Sequence, residues 1–255
     1  MSARRRDVET RSPDVRVYTL EDFPFWVPQT WECIGVAGMK RRGKSALLKR
    51  WCRFLMRELK RAYPGWGIVV CDAHDEYSVL GLERDDCQLG PLPQRRTMAD
   101  LVVDAEEDPE VLHRPDLALA VAPDSLDMDR TQMAAGYRSV MHLLRKRGRV
   151  IVIFEELGFW GEHAEESLHT VAACWGKDGV VPVYCGQAVT DTPASVRRQW
   201  SCLVSAQQVK RSDLDFIKGQ AGGRIAAAIA QLEPKQYVRA DLNEPAPEVL
   251  ASLSP

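Results

Sequence analysis

The sequence of 255 residues predicts a single α/β domain built on a mainly parallel sheet flanked by helices. Two features of the chain carry that expectation. Short runs that are almost wholly apolar, such as Val150-Ile151-Val152-Ile153-Phe154, recur along it and read as strands buried on both faces. Stretches with apolar residues at helical spacing separate them, and strand–helix alternation of this kind builds parallel sheets. No internal repeat and no low-complexity block breaks the pattern.

Residues 1–30 read as an N-terminal arm, basic at first and then carrying Phe23-Pro24-Phe25-Trp26-Val27-Pro28. The prolines forbid a regular helix there. The aromatics fit an arm lying along the domain or against a neighbouring subunit. The domain itself spans 31–242. Residues 33–37 form the first strand, which runs into a glycine-rich turn. A helix over 44–61 follows, with Leu47, Leu48, Trp51, Phe54, Leu55 and Leu59 on one side, and Tyr63-Pro64-Gly65 stops it. Residues 67–71 form a buried strand. The Asp-, Pro- and Gly-rich stretch 78–114 reads as an irregular insertion with a short helix near 99–105. Strands are expected at 117–122, 150–154, 180–185, 202–205 and 236–239. Helices are expected at 128–146, 162–174, 193–200, 213–219 and 225–232. Residues 243–255 read as a loose tail.

The bulk composition excludes several classes. A formal charge of −2 gives the whole chain no attraction to polyanions. Contact with nucleic acid would rest on local runs: Arg4-Arg5-Arg6, Lys40-Arg41-Arg42, Arg145-Lys146-Arg147-Gly148-Arg149 and Arg197-Arg198, each of which also reads as a solvated surface run. Seven cysteines, none in a Cys-x-x-Cys pair, point to a reducing compartment, and the expected location is the cytoplasm. The N-terminus lacks a secretory h-region, and no apolar run approaches the roughly 18 residues of a membrane span.

Gly38-Met39-Lys40-Arg41-Arg42-Gly43-Lys44-Ser45 fits G-x-x-x-x-G-K-S without a substitution, between an apolar strand and an amphipathic helix. That context marks a phosphate-binding loop. Its glycines allow a nest of N–H groups, and the following helix turns its positive end to the same anion. Lys44 reaches the β- and γ-phosphates of ATP, and the Ser45 hydroxyl ligates Mg²⁺. Glu155 and Glu156 end the strand 150–154, where such enzymes need one carboxylate for the metal and another to orient the attacking water. Glu155 takes the metal role, through water, and Glu156 that of general base, although Asp is usual at the first of these positions. Asp72 and Gln187 end two other strands. Each either faces the nucleotide or simply caps its strand, and Gln187 could sense the γ-phosphate by hydrogen bonding.

The order loop, "VVCDAHDEY", "VIVIFEE", "VYCGQ", "PASVRRQW" and "SDLDFIKGQAG" resembles the HerA/FtsK superfamily of DNA-translocating ATPases over about residues 32–241. The compact chain looks most like the genome-packaging ATPases of tailless, membrane-containing viruses. The resemblance implies a RecA-like P-loop fold and a homohexameric ring, with ATP and Mg²⁺ at subunit interfaces and double-stranded DNA in the channel. It also implies a catalytic set of Lys44, Glu156 and Gln187, and a capsid vertex or membrane protein as docking partner. A cation acting in trans is expected just before the Gln187 strand, where only Lys177 stands; Arg197 and Arg198 are the other candidates. A filamentous-phage-type assembly or secretion ATPase, a P-loop small-molecule kinase and a non-hydrolysing scaffold are the competing readings.

Overall fold

The computed structural model describes residues 15–77, 94–114, 117–125 and 127–243. Arg4-Arg5-Arg6, the greater part of the expected tail and positions 78–93 of the expected insertion lie outside them. In chain order the elements are β1 (Val17–Thr19), β2 (Ile34–Ala37), α1 (Lys44–Ala62), β3 (Gly67–Cys71), β4 (Gln94–Thr97), α2 (Met98–Glu107), β5 (Ala118–Ala122), α3 (Arg130–Arg147) and β6 (Val150–Phe154). There follow α4 (Leu157–Trp160), α5 (Glu165–Cys174), β7 (Val180–Gly186), α6 (Ala194–Arg197), β8 (Cys202–Ser205), α7 (Arg211–Ala221), α8 (Gly223–Ala230) and β9 (Gln236–Asp241).

The strands form one sheet in the order β1-β9-β8-β2-β7-β6-β3-β5-β4. From β8 to β4 every pairing is parallel, and β9 and β1 add an antiparallel flank. The central strands are buried at every position. Alternate residues feed two separate cores, with Val69 and Cys71 on one face and Ile68 and Val70 on the other. Helices α2, α3, α5, α7 and α8 cover the first face.

Helix α1 covers the second face with Leu47, Leu48, Trp51, Cys52, Leu55 and Leu59. Each leucine in that stripe contributes roughly 2 kcal/mol by its burial. The N-terminal arm supplies the rest of this cover. Phe23 is buried, Trp26 lies 4.5 Å from the Trp51 ring, and the Trp51 indole donates to the Trp26 carbonyl at 2.8 Å.

Two strands depart from the sequence expectation. Gln94–Thr97, inside the stretch read as irregular, is the parallel edge strand β4, and Val17–Thr19 in the arm is the opposite edge. An edge strand is paired on one side only, so it need not read as a buried apolar run: β4 is Gln-Arg-Arg-Thr, and β1 has only three residues and leaves Val17 exposed. Four residues after Glu156, expected as loop, form the short helix α4. Among the described residues no helix is long and apolar enough to cross a membrane.

Candidate nucleotide site

The sheet order explains how the site assembles. Loop strand β2 and carboxylate strand β6 are not neighbours; β7 lies between them, pairing Ala37 with Gly186 on one side and Phe154 with Tyr184 on the other. Residues leaving the carboxyl ends of these three strands therefore converge. Lys44 Nζ lies 2.8 Å from Glu156 Oε1, and Gln187 Nε2 donates to Glu156 Oε2 at 3.0 Å. Glu156 stands at the N-cap of α4 with φ 50° and ψ 47°. This left-handed backbone is unusual for a non-glycine residue, and such strain collects at functional sites.

Lys44 is buried, which works against its charge. The neighbouring acidic groups of Cys185, Glu155 and Glu156 outweigh that effect and raise its pKa. Burial also works against ionised Glu156, but the Lys44 ammonium and the Gln187 amide overcome it, holding its pKa below the usual carboxylate range. Glu155 behaves in the opposite way. It is 4% exposed, and burial pushes its pKa up despite Lys44 and a hydrogen bond from the Tyr77 hydroxyl at 2.7 Å. The Trp160 indole donates to its backbone carbonyl at 2.9 Å, fixing the turn out of β6.

The loop has the donors an anion requires. Gly38 and Met39 spend their N–H groups on Gly186 and Gln207, and Arg42 donates to Met39. Among the described residues no protein acceptor meets the N–H groups of Lys40, Arg41 and Gly43, and no side chain caps the first turn of α1. Arg41 and Gly43 have φ of 64° and 94°, the left-handed turns that fold such a nest. A cavity of about 510 Å³ lies over them, lined by the loop, Ser45, His74, Glu156, Gln187 and Lys235. A triphosphate fits this donor set, and Ser45 with Glu155 could hold Mg²⁺, whose charge would offset that of the phosphate oxygens.

Asp72 does not reach this cavity. Its carboxylate accepts from the backbone of Glu76 and Tyr77 at 3.0 and 2.7 Å, and it is His74, from the same turn after β3, that lines the cavity. Asp72 thus caps the turn that aims Tyr77 at Glu155. The three candidate trans cations all precede the first residues of β7 or β8, at the amino ends of these strands and away from the chain's own loop. Lys177 and Arg198 are exposed, whereas the Arg197 guanidinium lies 5.0 Å over the Phe216 ring. Tyr77, His74 and Lys235 were not singled out as site residues from sequence. Tyr77 and His74 left a signal, as residues of "VVCDAHDEY"; Lys235 left none.

No protein-family model and no curated protein matches the sequence. Solved structures do match. The genome packaging NTPase B204 from Sulfolobus turreted icosahedral virus 2, in complex with ATP-gammaS, superimposes with TM-score 0.57 at 15% identity, over 85% of this chain and 95% of that one. The DNA-packaging ATPase B204 from Sulfolobus turreted icosahedral virus gives 0.53 at 16% identity, over 84% and 93%. The fold is therefore that of a P-loop NTPase. Its structural neighbours are viral genome-packaging NTPases, the group that the sequence resembles, and at this identity the likeness carries the fold alone.

Proposed function

We propose that this chain is an ATPase that drives double-stranded DNA through a homohexameric ring, as the packaging motor of a virus. One observation carries the hydrolytic part: Lys44, Glu156 and Gln187, from three adjacent strand ends, form a continuous hydrogen-bonded set beside the amide nest. The shared fold with B204, described as a genome packaging NTPase, supports the packaging part.

Lys44 exchanges Glu156 for the β- and γ-phosphates when ATP enters. Glu156 loses the ammonium that holds its pKa down and becomes a stronger base, free to orient a water for in-line attack. Gln187 stays within reach of both Glu156 and the γ-phosphate position, and its own carbonyl accepts from Gln208 at 3.3 Å. Loss of the γ-phosphate is thereby passed to the segment after β8. In the ring Lys177, Arg197 or Arg198 would act on the nucleotide of a neighbouring copy. DNA would be gripped through its phosphates without sequence reading. The motor would work in the host cytoplasm or on the virion, docked to a capsid vertex or membrane protein.

The test is phosphate release by the purified protein with and without duplex DNA. The expected result is Mg²⁺-dependent ATP hydrolysis stimulated by DNA at low salt and less so as salt rises. Hydrolysis indifferent to DNA would remove the translocase reading. Transfer of phosphate to a small-molecule acceptor, with no release to water, would favour the kinase.

A further inference from the structure

The phosphate loop is held from behind by a segment 194 residues further along the chain. The turn before β9 is rigid: Gln236 donates its N–H to the Glu233 carbonyl at 3.1 Å, and its side chain accepts from the Glu233 N–H at 2.8 Å. From that turn the Lys235 N–H donates to the Arg42 carbonyl at 3.1 Å. The Tyr237 hydroxyl donates to the Gly43 carbonyl at 2.8 Å, an oxygen that also accepts from the Leu47 N–H.

Peptide planarity gives these two bonds a consequence. In a trans peptide the C=O of one residue and the N–H of the next point in opposite directions. Drawing the Arg42 and Gly43 carbonyls toward Lys235 and Tyr237 therefore turns the N–H groups of Gly43 and Lys44 the other way, into the nest. The fit is close. A Cβ on Gly43 would stand 2.5 Å from the Tyr237 hydroxyl, so only glycine leaves room for the contact. Tyr237 is anchored in turn, edge-on to Phe23 at 5.9 Å and paired in register with Tyr18 of β1. Burial pushes its hydroxyl pKa up to about 12, so it is a donor at neutral pH.

We propose that Tyr237, with the backbone of Lys235, is a positioning residue for nucleotide phosphate, holding the Arg42 and Gly43 peptides so that their amides face the ligand before it arrives. The inference rests on the nucleotide reading of the loop. It also gives the antiparallel flank of the sheet a function, since β9 and the arm beside it back the loop.

The test is steady-state ATP hydrolysis and MgADP binding by Tyr237→Phe, which keeps the ring and removes the donor. Loss of one preorganising hydrogen bond should weaken MgADP binding and raise KM about 5-fold, with kcat within 2-fold. A merely structural role would instead lower kcat through a smaller active fraction and leave KM alone; that pattern, or unchanged affinity, overturns the proposal. If the unaltered protein bound no nucleotide, the functional reading itself would fall and the positioning role with it.

Discussion

The two ends of the parallel strands each hold a cation, Lys44 buried and Arg147 half-buried, and they use it in opposite ways. At the carboxyl ends, Lys44 is paired with a single carboxylate beside an open cavity. At the amino ends, Arg147 spreads its guanidinium over backbone carbonyls of Leu112, Gly148, Arg149, Gly65 and Arg114. Their pKa shifts have opposite signs. Carboxylates raise that of Lys44, whereas burial without any carboxylate brings Arg147 down to about 10. A cation with one exchangeable partner can pass to an arriving anion. A cation that satisfies five carbonyls is a staple. The basic run around Arg147, read from sequence as a helix-end cluster or a DNA contact, therefore has its central residue committed to the fold.

The largest expected effect separates the two ends by chemistry. Glu156→Gln should lower ATP turnover by roughly 10²–10³-fold, the scale of a lost general base, while MgADP still binds. Turnover within a few-fold of the unaltered protein would remove Glu156 as the base and leave Lys44 paired to a bystander. Next in size is the staple. Arg147→Ala should cost about 3 kcal/mol by leaving the buried Leu112 and Gly148 carbonyls at the amino ends of the strands without this donor, a Tm decrease of roughly 6–12 °C for a chain of this size. Thermal unfolding measures this, and DNA stimulation per folded molecule should be unchanged. Weakened DNA stimulation at normal stability would instead make Arg147 a nucleic-acid contact.

The same contrast explains what the sequence could disclose. The loop and Glu155-Glu156 are contiguous patterns whose chemistry depends on neighbours in the chain, so they could be read from residue order alone. Gln187 and Asp72 each close an apolar strand and are open to the same two readings from sequence; that Gln187 meets Glu156 follows only once β7 lies between β2 and β6. Tyr77 and Tyr237 could not be assigned in this way, because each acts on a residue 78 or 194 positions away. Asp72 spends its carboxylate on the N–H groups of Glu76 and Tyr77 while His74 of the same turn faces the cavity, a division set by the turn's geometry and not by residue order. The direction of β9 and the pairing of the short edges β1 and β4 were hidden likewise.

The smallest effect tests the exchangeability of the Lys44 pair through pH. Glu156 has a folded-state pKa below its unfolded value of about 4.3, so its contribution to stability is present above that value. The contribution is lost as pH falls through the folded pKa. Glu155, whose pKa is raised, has the opposite sign: it disfavours the folded state once pH exceeds its unfolded value, and acid relieves that cost. Acidification therefore removes a stabilising charge at one glutamate while removing a destabilising one at its neighbour. Glu156→Gln deletes only the first. Thermal unfolding of the unaltered protein should accordingly fall more steeply below about pH 4.3 than that of Glu156→Gln, with the two curves converging at the acid end. Saturating MgADP at neutral pH draws Lys44 to phosphate and should narrow the neutral-pH gap between the two proteins. A gap that MgADP leaves unchanged would mean that Lys44 does not leave Glu156, and the carboxyl end of the sheet would then hold a staple of its own.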